Sequence, residues 1–239
     1  MARRHGLPIV QIGDNLPVHD MDSRRLTRLR DALASANVEL ELGARGLTRS
    51  HLSTYIDLSR TLNCRLLRFV IDTKSHRPAA STVVALLKDA VPELRAAGVT
   101  LALENHDRFP AIVLRDVVEA VGSASVGICL DTANSFGAGE GLAEVTRVLA
   151  PVTVNLHLKD VTIERVPHQM GFTIAGCPLG RGVLPLASTI EAVRAAGRCR
   201  SAILEGWTPR AATLAMTVRR EASWARQSLA VLPGLVRDR

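Results

Sequence analysis

Four acidic or imidazole side chains stand at or near the ends of short apolar runs. Glu104 closes LALE, Asp131 closes ICLD, His157 sits in TVNLHLKD and Glu205 closes AILE. Three carboxylates and one imidazole make a hard, mostly oxygen donor set. Such a set suits one divalent ion, Mn²⁺, Mg²⁺, Co²⁺ or Zn²⁺, with open positions for substrate oxygens. A lone glutamate at a strand end is more often a salt-bridge partner. Four such residues on successive strands point to a common site. A divalent ion beside a substrate carbonyl stabilises negative charge developing on oxygen, so the chemistry implied lies next to a carbonyl.

Bringing these residues together requires parallel strands whose C-terminal ends share one mouth. Strand and helix patterns alternate along the chain, the signature of βαβ units. Strands are predicted at 8–13, 38–42, 65–71, 99–104, 126–131, 152–159 and 200–205. Helices are predicted at 23–36, 48–62, 80–97, 112–121, 142–150, 185–196 and 210–232. Asp22 or Ser23 suits the first N-cap, and Gly98 suits a left-handed helix end. In TVNLHLKD, alternation sets Thr153, Asn155, His157 and Lys159 on one face and Val154, Leu156 and Leu158 on the other. Residues 161–184 read as one long loop.

Each strand supplies one polar inward residue: Gln11, Glu41, Arg68, Glu104, Asp131, His157 and Glu205. Strands buried on both faces of a parallel sheet are apolar, so polar interior faces favour a barrel. No Gly-rich phosphate turn follows the first strand, where GDNLP stands, which argues against an open dinucleotide-binding sheet. The fold expected is a (β/α)8 TIM-barrel type with only seven strands visible, in one domain spanning 1–239. The first βα unit is expected to be missing, and an upstream extension of about one unit is expected to supply it.

The chain has 239 residues, is 47% hydrophobic and carries a net charge of +7. Only three of the 30 basic residues are lysines, the arginines are scattered, and there are seven Phe, Trp and Tyr residues in all. Few aromatics disfavour a base-stacking surface, and no nucleic-acid partner is expected. No apolar run approaches the roughly 20 residues of a membrane span, and no secretory signal opens the chain, so no membrane partner is expected. Cys64, Cys129, Cys177 and Cys199 show no CxxC spacing and read as reduced thiols of a cytoplasmic protein. Assembly into a homo-oligomer stays open.

The motifs LALENH, GICLDTAN, NLHLKD and AILEGW, in this order, resemble the xylose-isomerase-like sugar phosphate isomerases and epimerases. That resemblance covers nearly the whole chain. It implies that Glu104, Asp131, His157 and Glu205 bind one divalent metal, with Glu104 and Glu205 also the acid/base pair. It implies a small sugar or sugar acid as substrate and isomerisation or epimerisation through an enediolate as the reaction. The runner-up is a metal-dependent decarboxylase of a 3-oxo sugar acid, since VQIGDNLP and GFTIAGCPLGRG resemble members acting on 3-oxo-isoapionate. The superfamily's zinc-dependent apurinic endonucleases fit less well, because Asn134 and Val166-Pro167-His168 stand where they carry metal-binding histidines. A degenerate, non-catalytic sugar-binding barrel is a third reading.

His106, Asn134, Lys159, His168 and Arg181 are candidate substrate contacts. Lys159 and Arg181 suit a carboxylate or phosphate; their alternative roles are pairing with Asp160 and plain surface charge. The glycines around Arg181 suit a closing lid. Asp14 and Asn15 are expected near the mouth, and Trp207 beside the pocket. Glu41 and Arg68 are expected to form an internal ion pair. His5, His19, His51 and His76 are expected at the surface.

Overall fold

The computed structural model describes residues 2–236 except Gln169. Seven parallel strands form one sheet: β1 (Ile9–Ile12), β2 (Glu39–Arg45), β3 (Leu66–Val70), β4 (Thr100–Glu104), β5 (Val126–Asp131), β6 (Thr153–Leu158) and, after a hairpin, β9 (Ser201–Leu204). Each pairs with its neighbour in that order. The helices between them are α1 (Ser23–Ala36), α2 (Arg49–Leu62), α3 (Ala80–Ala97), α4 (Ala111–Val121), α5 (Leu142–Leu149) and α6 (Leu186–Ala195), with α7 (Leu214–Val236) last. This is the seven-stranded, nearly closed TIM-type barrel that the alternating pattern predicts.

Local chemistry explains the helix boundaries. The Asp22 carboxylate accepts from the Arg25 N–H at 2.7 Å, and the Thr48 hydroxyl accepts from the His51 N–H at 3.2 Å. Each side chain satisfies a donor that a helix start leaves unpaired. Gly98 ends α3 at φ 65°, a left-handed cap that costs glycine nothing. Outward residues of the strands, such as Leu42, Phe69, Leu101, Leu103 and Leu156, join the helices' apolar stripes in one large core. No described helix is long and apolar enough to cross a membrane. All four cysteines are free thiols.

Two expectations need correction. Residues 161–184 are not one loop. Strands β7 (Asp160–Arg165) and β8 (Phe172–Cys177) make an antiparallel hairpin beyond the sheet, and Pro178–Leu184 follows as a tight return. The strict alternation of β6 also breaks. Ile128 pairs with Thr153 and Cys129 with Asn155, so Val154 is an extra residue. This bulge puts Val154 into the interior cluster of Leu66, Ala102 and Cys129, while the Thr153 hydroxyl donates outward to the Leu149 carbonyl.

The first and last strands of the sheet, β1 and β9, adjoin without a backbone ladder. Side chains span this seam. Gln11 donates to Glu41 at 3.0 Å and to Asn155 at 3.3 Å, Asn155 donates to the Ser201 hydroxyl at 2.8 Å, and Ser201 donates to Glu41. A largely apolar cavity of about 420 Å³ lies along the seam, lined among others by His5, Ile9, Leu204, Glu205 and Trp224.

Candidate metal centre

The mouth is set by strand register. Asp131 on β5 pairs laterally with His157 on β6, and the Glu205 N–H extends the β6–β9 ladder by donating to Leu158. Glu104 ends β4, next to β5. One ligand atom from each of Glu104, Asp131, His157 and Glu205 lies within 4.8 Å of the other three. Glu104, Asp131 and His157 are buried, and Glu205 is partly exposed. The four residues expected to converge do converge.

The polar atoms of this cluster are not spent on one another. Glu104 Oε2, Asp131 Oδ2, both His157 ring nitrogens and Glu205 Oε2 are buried without an aligned hydrogen bond. His157 Nδ1 does lie 2.7 Å from Glu205 Oε2 and 3.9 Å from Asp131 Oδ2, so the groups are close but misaligned for donation. Lys159 Nζ and Arg68 Nε lie near Asp131 Oδ2 and Glu104 Oε2, but buried polar atoms without aligned bonds are rare and costly, and several facing one point fit a bound cation. Three carboxylates and an imidazole are the right chemistry for a divalent ion. Cys129 also borders Glu104 and His157, but burial raises its thiol pKa well above the ordinary value, which keeps it protonated and a poor ligand for a hard ion.

The surrounding residues fix each carboxylate differently. Asp131 Oδ1 accepts from the Ala133 and Asn134 N–H groups, each at 2.9 Å, leaving Oδ2 for the centre. Asn105 braces the same residue, accepting from its N–H at 2.6 Å and donating to its carbonyl at 2.9 Å. Glu104 Oε1 accepts from Asn134 at 2.7 Å, and its Oε2 lies 3.0 Å from Arg68 Nε. Burial raises the Glu104 pKa, and the Arg68 charge only partly opposes this. Lys159 Nζ lies 2.9 Å from Asp131 Oδ2, 3.1 Å from Glu205 Oε1 and 3.3 Å from Asn134 Oδ1. Burial works against the Lys159 charge, but Asp131 and Glu205 outweigh it and hold the ammonium protonated. For Glu205, burial raises the pKa, but contact with His157 and the charge of Lys159 overcome it and bring it down to about 2.

Among the expected substrate contacts, Asn134 and Lys159 sit within this cluster. His106 stands at the rim, 2.6 Å from Asp107 and 3.3 Å from Arg45. His168 is exposed in the turn of the β7–β8 hairpin, and Arg181 is exposed in the return after it; neither meets the four clustered residues. Trp207 is half exposed and backs onto Gly176 of the hairpin.

Two pairings considered from the sequence are not formed. Lys159 does not pair with Asp160, whose carboxylate is filled by backbone N–H groups of residues 161, 180, 182 and 184. Arg68 does not pair with Glu41. It sits opposite Gly43, one pleat nearer the mouth, and meets Glu104 and Asp14 instead. Nor are all the remaining histidines plain surface residues: His19 and His51 pack around Tyr55, and His76 contacts the Leu47 carbonyl. Asn105 escapes the sequence reading and Asp160 enters it only as a partner for Lys159, because an asparagine or aspartate after a strand carries no sequence signal of what it will brace.

Comparison with known proteins agrees with this architecture. A family model for the xylose isomerase-like TIM barrel matches residues 1–234. The 3-oxo-isoapionate decarboxylase of Pectobacterium atrosepticum is 34% identical over 224 residues, covering 94% of this chain and 82% of that protein. The structure of D-psicose 3-epimerase with D-tagatose from Clostridium cellulolyticum superposes with a TM-score of 0.73 at 17% identity, covering 98% of this chain and 90% of that one. A xylose isomerase-like TIM barrel protein from Mycobacterium smegmatis, in complex with magnesium, superposes with a TM-score of 0.71 at 14% identity, covering 97% and 87%. A polar-mouthed parallel barrel with this residue order and these relatives has one classification: the chain belongs to the xylose isomerase-like TIM-barrel family.

Proposed function

We propose that the chain is a divalent-metal-dependent decarboxylase of a small 3-oxo sugar acid. The observation that carries this is the 34% identity to 3-oxo-isoapionate decarboxylase over 94% of the chain, and the surroundings of the two glutamates agree with it. Glu205 lies 2.7 Å from His157 Nδ1 and 3.1 Å from Lys159 Nζ, cationic surroundings that disfavour taking up a proton. Glu104 is buried instead, held by Asn134 on Oε1 at 2.7 Å and away from Lys159. Epimerisation by two carboxylates needs both to exchange protons at neutral pH. Decarboxylation needs no base to make its carbanion, only an electron sink and one proton donor.

Glu104, Asp131, His157 and Glu205 would hold the metal, which when bound supplies Lewis-acid stabilisation of the oxyanion. The substrate's C–C bond to its carboxylate breaks, and the electron pair moves into the adjacent carbonyl as CO₂ leaves. Lys159, beside Asp131 and Glu205, adds fixed positive charge where the enolate oxygen develops. Glu104 would then pass a proton taken up from solvent to carbon. Asn134 holds Glu104 Oε1 and keeps that carboxyl aimed. The 34% identity to 3-oxo-isoapionate decarboxylase across 94% of the chain supports the same reading.

The second reading is a sugar isomerase or epimerase. It is favoured by the placement of Glu104 and Glu205 on non-adjacent strands facing one centre and by the barrel shared with D-psicose 3-epimerase. One experiment separates the two. The Mn²⁺-loaded protein is given 3-oxo-isoapionate and, separately, D-psicose in D₂O. CO₂ release without deuterium uptake into the ketose supports the decarboxylase; deuterium at C3 without CO₂ refutes it.

A further inference from the structure

Arg68 belongs to β3, a strand that contributes none of the four clustered ligands. Its side chain is only 8% exposed, and apart from its ion pairs with Asp14 and Glu104 only Nη1 makes aligned hydrogen bonds among the described residues. Nη1 donates to Asp14 Oδ1 and to the Ala44 carbonyl, both at a long 3.3 Å. Nε is buried without an aligned acceptor, although Glu104 Oε2 lies 3.0 Å away. Nη2 meets no acceptor among the described residues. Nε and Nη2 form one edge of the guanidinium, the edge with which an arginine grips a carboxylate through two parallel bonds. Elsewhere in this chain that edge is used so: Arg147 donates from Nε and Nη2 to the two oxygens of Glu144 at 2.9 and 2.6 Å, and Arg108 does the same to Asp72.

The backbone is shaped around this side chain. A Cβ on Gly43 would lie 3.0 Å from the guanidinium carbon and from Nη2, and a Cβ on Gly13 would lie 3.1 Å from Nη2. Gly13, just past β1, and Gly43, within β2, thus leave the space the guanidinium fills. A buried donor without an aligned acceptor, as Nε is, is costly unless a ligand completes it.

We propose that the Nε/Nη2 edge of Arg68 binds the carboxylate of the substrate and makes the site selective for sugar acids over neutral sugars. This rests on the reading of the site as a sugar-acid enzyme and adds the residue that recognises the acid. A carboxylate docked there would touch the guanidinium beside Glu104, within reach of the metal-binding cluster. Asp14, half exposed on the opposite edge, balances the arginine's charge when the site is empty of substrate.

The test measures binding, not turnover. Threonate and threitol have the same four-carbon skeleton with and without a carboxylate, and each is titrated calorimetrically into the Mn²⁺-loaded protein. The native chain should prefer threonate by about tenfold or more. In Arg68→Gln the preference should fall to near parity, and Arg68→Lys, which keeps the charge but loses the fork, should recover only part of it. Gly43→Ala, which crowds the guanidinium without removing it, should weaken threonate and spare threitol. Mn²⁺ affinity is measured in every variant. Equal binding of the two ligands by the native chain, an undiminished preference in Arg68→Gln, or threonate loss that only tracks Mn²⁺ loss overturns the assignment. Arg68-dependent threonate preference in a protein that releases no CO₂ would refute the decarboxylase reading and leave the carboxylate site standing.

Discussion

Asp160 offers a sharp test of how the strand that carries His157 is joined to the hairpin beyond it. The side chain is 2% exposed and receives four backbone N–H groups. Val161 and Leu184 donate to Oδ1 at 2.9 and 3.3 Å, and Gly180 and Gly182 donate to Oδ2 at 2.9 and 3.0 Å. Asp160→Asn keeps the shape but leaves one oxygen, so two N–H groups face an NH₂. Each stranded buried donor costs about 1–3 kcal/mol, and a loss of about 3 kcal/mol is expected, or about 6–12 °C in Tm for a chain of this size. Gly182→Ala attacks the same contact from the other side, because its Cβ would fall 2.1 Å from Asp160 Oδ1 and 2.3 Å from the Val161 carbonyl. The two changes should be less than additive, since each breaks what the other needs. Urea unfolding in EDTA reads the global effect without metal, and limited proteolysis reads local opening of 178–184. A loss below about 1 kcal/mol for Asp160→Asn, with the return still protected from protease, would refute the account of Asp160 as its organiser.

Asp131→Ala or His157→Ala should lower Mn²⁺ content measured by elemental analysis, and full retention by both would remove the metal assignment. Glu104→Gln should cut kcat far more than KM, because the amide cannot deliver a proton; an unchanged kcat would move the acid elsewhere. Burial raises the Glu41 pKa despite its bonds to Ser201 and Gln11. The folded chain thus binds a proton that the unfolded chain has lost, so this group's contribution to stability declines as pH rises from about 4.5 through the folded pKa. Glu41→Gln should flatten that decline in urea midpoints between about pH 4 and pH 7; an unaltered slope would show that Glu41 is not its source.

Much of this was legible in the sequence because the signals were periodic. The helix over 23–36 and that over 80–97 were bounded by side chains and glycines whose capping chemistry is local. The ligand set was legible because parallel strands put every C-terminal residue at one mouth. The hairpin was not. VTIER and FTIAGC look like loop beside Pro167, Gly171 and Pro178, and their pairing depends on an antiparallel contact that no period announces. Arg68 was paired with the wrong acid because register decides neighbours. Gln11 and Glu41 are lateral partners, while Arg68 is level with Gly43. The β6 bulge likewise reverses Val154 by inserting a single residue against β5, a choice set by the neighbouring strand.

The clasp between β1 and β9 gives the ring a preferred place to part. Every other junction would have to break a row of backbone bonds, whereas here Gln11, Glu41, Asn155 and Ser201 hold the ends across a cavity of about 420 Å³. Opening at this clasp costs a few side-chain bonds and leaves every strand pair intact. Amide exchange should therefore run fastest along the seam strand Ser201–Leu204 and slowest along Thr100–Glu104 at the far side of the ring. Glu205 follows directly on the faster strand, so the most exposed member of the cluster is mounted on the part of the wall that breathes, while Glu104 stands on the part that stays shut.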